Sequence, residues 1–169
     1  MKVAKKDAGR PPEDEFRLIV ERNRKSVYRL AYSYVKTQHD ADDIFQEVFL
    51  KYLQKPAEFN DVNHEKRWFL RVTANACKSF LRLAWIKHRA PIDEALCVPM
   101  PETRNKVVEA VLELPPKLSA VIHLYYYEGY NVREAATVLG ISEAAAQARL
   151  SRAKKRLAHD LKEGVDDED

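Results

Sequence analysis

The sequence predicts an all-α protein: two small helical domains joined by a proline-containing linker, the second a helix-turn-helix domain. Three observations carry this. Only four glycines occur in 169 residues, at positions 9, 129, 140 and 164, too few turn-makers for many short strands. Apolar residues recur at intervals of three and four through most of the chain. Prolines gather near the middle, at Pro91, Pro99 and Pro101 and again at Pro115-Pro116. The length suits one or two domains with modest cores.

Residues 1–12 form a polar arm. From about Asp14, a first helix is predicted by Phe16, Ile19, Val20, Asn23, Val27, Leu30, Ala31 and Tyr34. HDADDIFQEVFLKYL, residues 39–53, reads as a second, with Asp40 as its N-cap and Asp43 in the first turn. The loop KPAEFNDVNHE leads to a third helix over about 65–86. RAPIDEALCVPMPETRN, residues 89–105, is the linker. A short helix over 106–114 stops at Pro115-Pro116, and another covers about 117–128. Asn131 followed by Glu134 is a capping box for the next helix, which Gly140 ends. Ser142 caps the last helix, predicted to run to about Lys162 before a disordered acidic tail, residues 163–169. The domains expected are therefore 13–88 and 106–162.

The net charge of +3 says little, but its distribution is uneven. Residues 66–89 hold seven Lys/Arg and no acid, and residues 144–159 hold five and no acid. Residues 40–50 hold four acids and no base. Two basic blocks point to two contacts with a polyanion. Cys77 and Cys97 lack CxxC spacing, which argues against a disulfide scaffold or a zinc site. The first residues lack the apolar core of a signal peptide, and no apolar run approaches about 20 residues. A soluble, cytoplasmic protein with no membrane association is expected. The five histidines are scattered, and no glycine-rich phosphate loop, GxSxG or HExxH occurs. No enzyme, catalytic residue, cofactor or metal is therefore expected.

In the last helix Ala146, Leu150, Ala153 and Leu157 form one apolar stripe. Ala144, Gln147, Ala148, Ser151 and Lys155 lie together on the opposite side. Small and polar residues there, flanked by Arg149, Arg152, Lys154 and Arg156, suit a helix entering a major groove. In the third helix Arg67, Arg71, Asn75, Lys78 and Arg82 fall on one stripe beside apolar Leu70, Ala74, Cys77 and Leu81. A cationic stripe tracks phosphates, and Trp68 at its margin can stack on an unpaired base or wedge beside it. On the second helix Asp43, Gln46, Glu47 and Leu50 share a face. A leucine beside acids and an amide suits a polar docking surface with a small apolar centre.

LPPKLSAVIHLYYYEGYNVREAATVLGISEAAAQARLSRAKKRL resembles region 4 of the extracytoplasmic-function (ECF) sigma factors of bacterial RNA polymerase. The shared features are Leu114-Pro115, Glu128-Gly129, Glu134-Ala135-Ala136, Leu139-Gly140-Ile141-Ser142, and Arg149-Leu150 with Arg152-Ala153. The resemblance implies that the final helix reads the minus-thirty-five promoter element through Gln147, Ala148, Ser151 and Arg152. The family usually has Thr, Val and Ser where this chain has Ala145, Ala146 and Ala148. Alanine offers a base edge no hydrogen bond, which leaves Gln147 and Arg152 as base-reading candidates.

HDADDIFQEVFLKYL resembles region 2.2 of the same family, which binds the clamp helices of the polymerase β′ subunit. KRWFLRVTANACKSFLRLAWIKHR resembles regions 2.3 and 2.4, which open promoter DNA and read the minus-ten element. The resemblance places Asn75 against a flipped base of the non-template strand, with Phe59 near that pocket. Together the matches cover most of residues 14–162. They imply core RNA polymerase and promoter DNA as partners, and an anti-sigma protein as a further candidate. A free-standing helix-turn-helix regulator with an N-terminal interaction domain is the alternative. It predicts dimers and a palindromic site, where a sigma factor predicts a monomer and asymmetric elements.

Overall fold

The computed structural model describes residues 9–88 and 106–166, and all regular structure among them is helical. Seven α-helices follow in order: α1 Glu13–Val35, α2 Gln38–Gln54, α3 Val62–His88, α4 Lys106–Glu113, α5 Pro116–Ile122, α6 Val132–Leu139 and α7 Glu143–Asp166. A π-helical turn, His123–Tyr127, extends α5. The predicted linker lies outside the described residues, as do residues 1–8 of the arm and 167–169 of the tail.

α1 opens with Glu13, Asp14 and Glu15, where the helix dipole favours anions. Its inward face carries Ile19, Val27, Leu30 and Ala31, which meet Ile44 and Val48 of α2 and Phe69 and Leu70 of α3 in one core. Each of these side chains larger than alanine contributes about 1.5–3 kcal/mol relative to exposure. The second group, α4 to α7, closes over Leu114, Ile122, Leu124, Leu139 and Leu150.

Two helices start earlier than the sequence predicts. The N-cap of α2 is Thr37, whose hydroxyl accepts the Asp40 N–H at 3.2 Å and donates to the Asp40 carboxylate at 2.7 Å. Asp40 thus accepts the Thr37 hydroxyl from the first turn of the helix, rather than serving as the cap. Likewise Asp61 accepts the His64 N–H at 2.7 Å while the His64 ring accepts the Asn60 N–H at 3.1 Å, which starts α3 at Val62. The side chain that reaches back is a histidine, and it takes the N–H of the residue before the cap, so no capping-box signal is there to see.

The rest of the second group follows its local signals. The Asn131–Glu134 capping box is complete, with both bonds at 2.9 Å. Gly140 takes the left-handed conformation (φ 66°) that ends α6, and Ser142 accepts the Ala145 N–H at 3.1 Å to start α7. α7 continues to Asp166, past the predicted end near Lys162. The helix predicted over 117–128 changes character: from His123 the bonding runs i→i+5, and the Glu128 N–H reaches the His123 carbonyl at 3.2 Å. The two helical groups also pack on one another, α1 against α5 and the π turn, α3 against α6.

Candidate nucleic-acid and partner interfaces

The last helix divides by face. Ala146, Leu150 and Ala153 are fully or nearly fully buried and hold α7 against its own domain. Ala144, Gln147, Ser151, Arg152 and Lys155 are exposed, and Ala148 and Arg149 are half-buried. The Gln147 amide sits 3.5 Å from the Ser151 hydroxyl, so the polar ridge is continuous along one side. Lys154 turns back over the Tyr125 and Tyr126 rings, 5.1 and 5.9 Å from their centroids. Arg149 faces the first helical group, close enough to act electrostatically on Lys78.

On α3, Leu70, Ala74 and Cys77 are buried in the core, and Arg67, Arg71, Asn75 and Arg82 are exposed on the other side. Lys78 departs from this row. Its ammonium donates to the Leu139 carbonyl at the end of α6. Burial, then the nearby cations Arg149 and Lys117, hold it below the usual lysine value.

Trp68 is half-buried in an aromatic group, 4.9 Å from Phe69, 5.7 Å from Phe59 and 5.8 Å from Tyr52 between ring centroids. Phe59 in turn stacks on Tyr52 at 6.1 Å and meets the His64 ring edge-on at 5.6 Å. Trp68 therefore packs on the core and also lines the margin of the cationic stripe. Tyr52, on α2, joins this group through the chain reversal between α2 and α3.

The start of α3 is fixed from α1. Glu65, buried, accepts two bonds from the Arg22 guanidinium and one from Asn23. The Glu65 pairing in turn holds the Arg22 guanidinium above its ordinary value.

The acidic face of α2 is open. Asp43, Gln46 and Glu47 are exposed, and Leu50 beside them is 54% exposed, while Ala41, Ile44 and Val48 on the other side are buried. His39 lies 3.4 Å from Asp43 and Lys51 lies 2.8 Å from Glu47, but these pairs are solvent-exposed and worth little. The face keeps its acceptors available and has an apolar centre.

A cluster absent from the sequence reading joins the two groups. Glu128 follows the π turn with its side chain 5% exposed, and its carboxylate meets Lys66 of α3 at 2.5 Å. Ser26 of α1 bonds to the same carboxylate. His123 Nε2 comes within 3.3 Å of it without completing a well-directed hydrogen bond. Burial pushes the Glu128 carboxyl up, but the close approach of His123 and the bonds from Lys66 and Ser26 outweigh it and bring it down to about 2.

Residues 19–86 match the sigma-70 region 2 family, and residues 104–157 match sigma-70 region 4. The ECF RNA polymerase sigma factor SigM of Bacillus subtilis (strain 168) is 30% identical over 155 residues, covering 84% of this chain and 92% of that protein. The chain is an ECF sigma factor.

Sigma factor SigV of the same organism is 33% identical over 138 residues, covering 79% of this chain and 82% of its own. Among solved structures, RpoE of Bartonella quintana, in complex with the anti-sigma factor NepR, matches with a TM-score of 0.71 at 21% identity, covering 89% of this chain and 96% of that one. CnrH, in complex with the cytosolic domain of CnrY, matches at 0.60 and 22%, covering 89% and 90%. These two share the fold. The sigma factor binds core RNA polymerase and directs it to promoters at initiation; it is not an enzyme. A free-standing regulator is not favoured, because the helix-turn-helix is preceded by a region 2 domain. Among the described residues, no helix is long and apolar enough to cross a membrane.

Proposed function

We propose that three faces divide the work of this sigma factor. The α2 face of Asp43, Gln46, Glu47 and Leu50 docks on the β′ clamp helices. The α3 stripe of Arg67, Trp68, Arg71, Asn75, Lys78 and Arg82 opens DNA and reads the minus-ten element. The α7 face of Ala144, Gln147, Ala148, Arg149, Ser151, Arg152 and Lys155 reads the minus-thirty-five element. The functional units are residues 13–88 and 106–162, joined by 89–105, and the site of action is the cytoplasm, with the polymerase. An anti-sigma protein is a further candidate partner, since RpoE, of like fold, was solved with one.

The observation that carries this reading is the exposed leucine within an acidic face, on a chain whose other two polar faces are cationic. Magnitudes explain the division. If α7 neutralises about four phosphates, its log–log salt slope is roughly −3.6, and such contacts alone give constants near 10⁻⁴ to 10⁻⁶ M. That is too weak to select a promoter. Polymerase holding both units makes the second contact intramolecular and supplies the missing affinity.

The test is capture of bacterial core RNA polymerase by the wild-type chain and by Asp43→Lys/Glu47→Lys. Capture by the wild type with loss in the double variant is expected. Equal capture by both overturns the α2 assignment. Tight sequence-specific duplex binding by the isolated protein would overturn the division of labour.

A further inference from the structure

The last turns of α3 carry an apolar patch that a cationic stripe does not explain. Leu83, Trp85 and Ile86 are 62%, 61% and 64% exposed, the most exposed large apolar side chains among the described residues. The inward side of the same helix end is already filled, with Phe80 and Leu81 packed against the core. The outward residues therefore contribute little to the fold. Trp85 follows Arg71, Asn75, Lys78 and Arg82 at steps of four, three, four and three residues, so it continues the row that the proposed function sets against DNA. Ile86 stands four residues after Arg82 and three after Leu83, which joins the three apolar side chains to that row. Arg82 and Lys87 flank the patch, both exposed, and residues 66–89 hold no acid.

An apolar patch ringed by cations fits a polyanion that also offers apolar surface. Nucleic acid offers it in two forms: the face of an unpaired base, and the thymine methyl, the one apolar group on a base edge in the major groove. Position decides between them. From Asn75 to Trp85 is ten residues, about 15 Å of helix, which matches about four or five base pairs of B-form DNA. The chain leaves α3 at His88 and continues to the group assigned to the minus-thirty-five element, so this end of the helix points upstream. With Asn75 at an unpaired base of the minus-ten element, Trp85 and Ile86 meet DNA that is still paired. A major groove about 12 Å wide has room for a helix end there.

We propose that Leu83, Trp85 and Ile86 read thymine methyl groups in the duplex immediately upstream of the minus-ten element, with Arg82 and Lys87 on the flanking phosphates. The proposal rests on the assignment of α3 to the minus-ten element, and it adds a sequence-reading contact to the two already assigned. Thymine is selected because cytosine presents a hydrogen where thymine presents the methyl. Burial of one methyl group tightens binding about fourfold. The contact is made without hydrogen bonds, so Trp85→Phe preserves most of it and Trp85→Ala does not.

The experiment uses holoenzyme formed from bacterial core RNA polymerase and the full-length sigma factor. The probe is the duplex that wild-type holoenzyme retains most tightly from a randomised library, with its opened segment mapped by permanganate. Each thymine about four or five base pairs upstream of the unpaired base is then replaced by deoxyuridine, which removes the methyl group alone. Wild type and Trp85→Phe are expected to lose about fourfold in affinity for each replacement. In Trp85→Ala and Ile86→Ala that sensitivity is expected to vanish, with unchanged melting temperature and unchanged capture of core polymerase. No thymine selected at those positions, or equal sensitivity in wild type and alanine variants, overturns the proposal. So does weaker polymerase capture, which would place the patch against the enzyme, or a lowered melting temperature, which would place it within this chain's own fold. Asn75→Ala separates the two levels. If it leaves promoter binding unchanged, the assignment of α3 fails; if it weakens binding while the alanine variants keep their deoxyuridine sensitivity, only the thymine contact falls.

Discussion

The Arg22 guanidinium donates two parallel hydrogen bonds, of 3.0 and 2.8 Å, to the Glu65 carboxylate and so ties α1 to the first turn of α3. The partners are unequal: the Glu65 side chain is buried, the Arg22 side chain 41% exposed. Removing the arginine leaves a buried carboxylate with Asn23 as its remaining donor, 2.6 Å away. Removing the acid lets the guanidinium turn to water. Arg22→Met is therefore expected to cost about 3 kcal/mol and Glu65→Gln about 1–2 kcal/mol, measured by denaturant unfolding. Equal losses would contradict this account of the pair.

Leu50 offers a cleaner probe of docking than the acids beside it. Being more than half exposed, it supports little of the fold. Leu50→Ala should leave unfolding within about 0.5 kcal/mol of the wild type. As the apolar centre of an interface, the same change should weaken polymerase binding by more than about 1 kcal/mol, several-fold in affinity. Titration of labelled sigma factor against core enzyme measures the second quantity. An unchanged affinity would remove Leu50 from the interface.

On α7, charge and polarity should separate experimentally. Lys155→Ala is expected to weaken holoenzyme binding similarly at all promoters and to reduce the salt slope by about 1. Gln147→Ala should leave the slope alone and flatten the preference among minus-thirty-five sequences, costing about 1–3 kcal/mol at the preferred one. Competition assays over a promoter panel at several salt concentrations distinguish the two. A change of slope in Gln147→Ala would mean that this side chain meets phosphate.

Glu128 gives the packing of the two helical groups an acid limit. Its carboxyl sits at about 2, below the ordinary 4.5, so its contribution is full above about pH 4.5 and is lost as pH falls toward 2. Lys66, His123 and Ser26 surround the carboxylate. Thermal unfolding followed from pH 5 to 2.5 should fall more steeply in the wild type than in Glu128→Gln. Parallel curves would show that the carboxylate is not what the acid disrupts.

The parts legible in the sequence were those with a local signature. The apolar row Ala146, Leu150 and Ala153, the Asn131–Glu134 box and the turn at Gly140 all announce themselves within a few residues. The faces of α2 and α3 follow from the same periodicity. The starts of α2 and α3 were missed because their caps use Thr37 with Asp40 and Asp61 with His64, pairings that resemble ordinary loop polarity. The Glu128–Lys66 contact was invisible for another reason. The residues are far apart in sequence, and a buried ion pair has the same composition as two solvated charges. Helical spacing alone puts Lys78 in the α3 stripe, and nothing local shows that a carbonyl from α6 engages it.

The π turn at His123–Tyr127 holds one residue more than an α-helical turn would, and that extra residue brings Glu128 round toward His123 and Lys66. The ion pair is therefore encoded partly in the length of the gene. Loss of a single codon within the turn would restore α-helical spacing and swing the carboxylate about 100° away, at 3.6 residues per turn. The grip of one helical group on the other is thus set by a one-residue difference in spacing as much as by the charges that meet there.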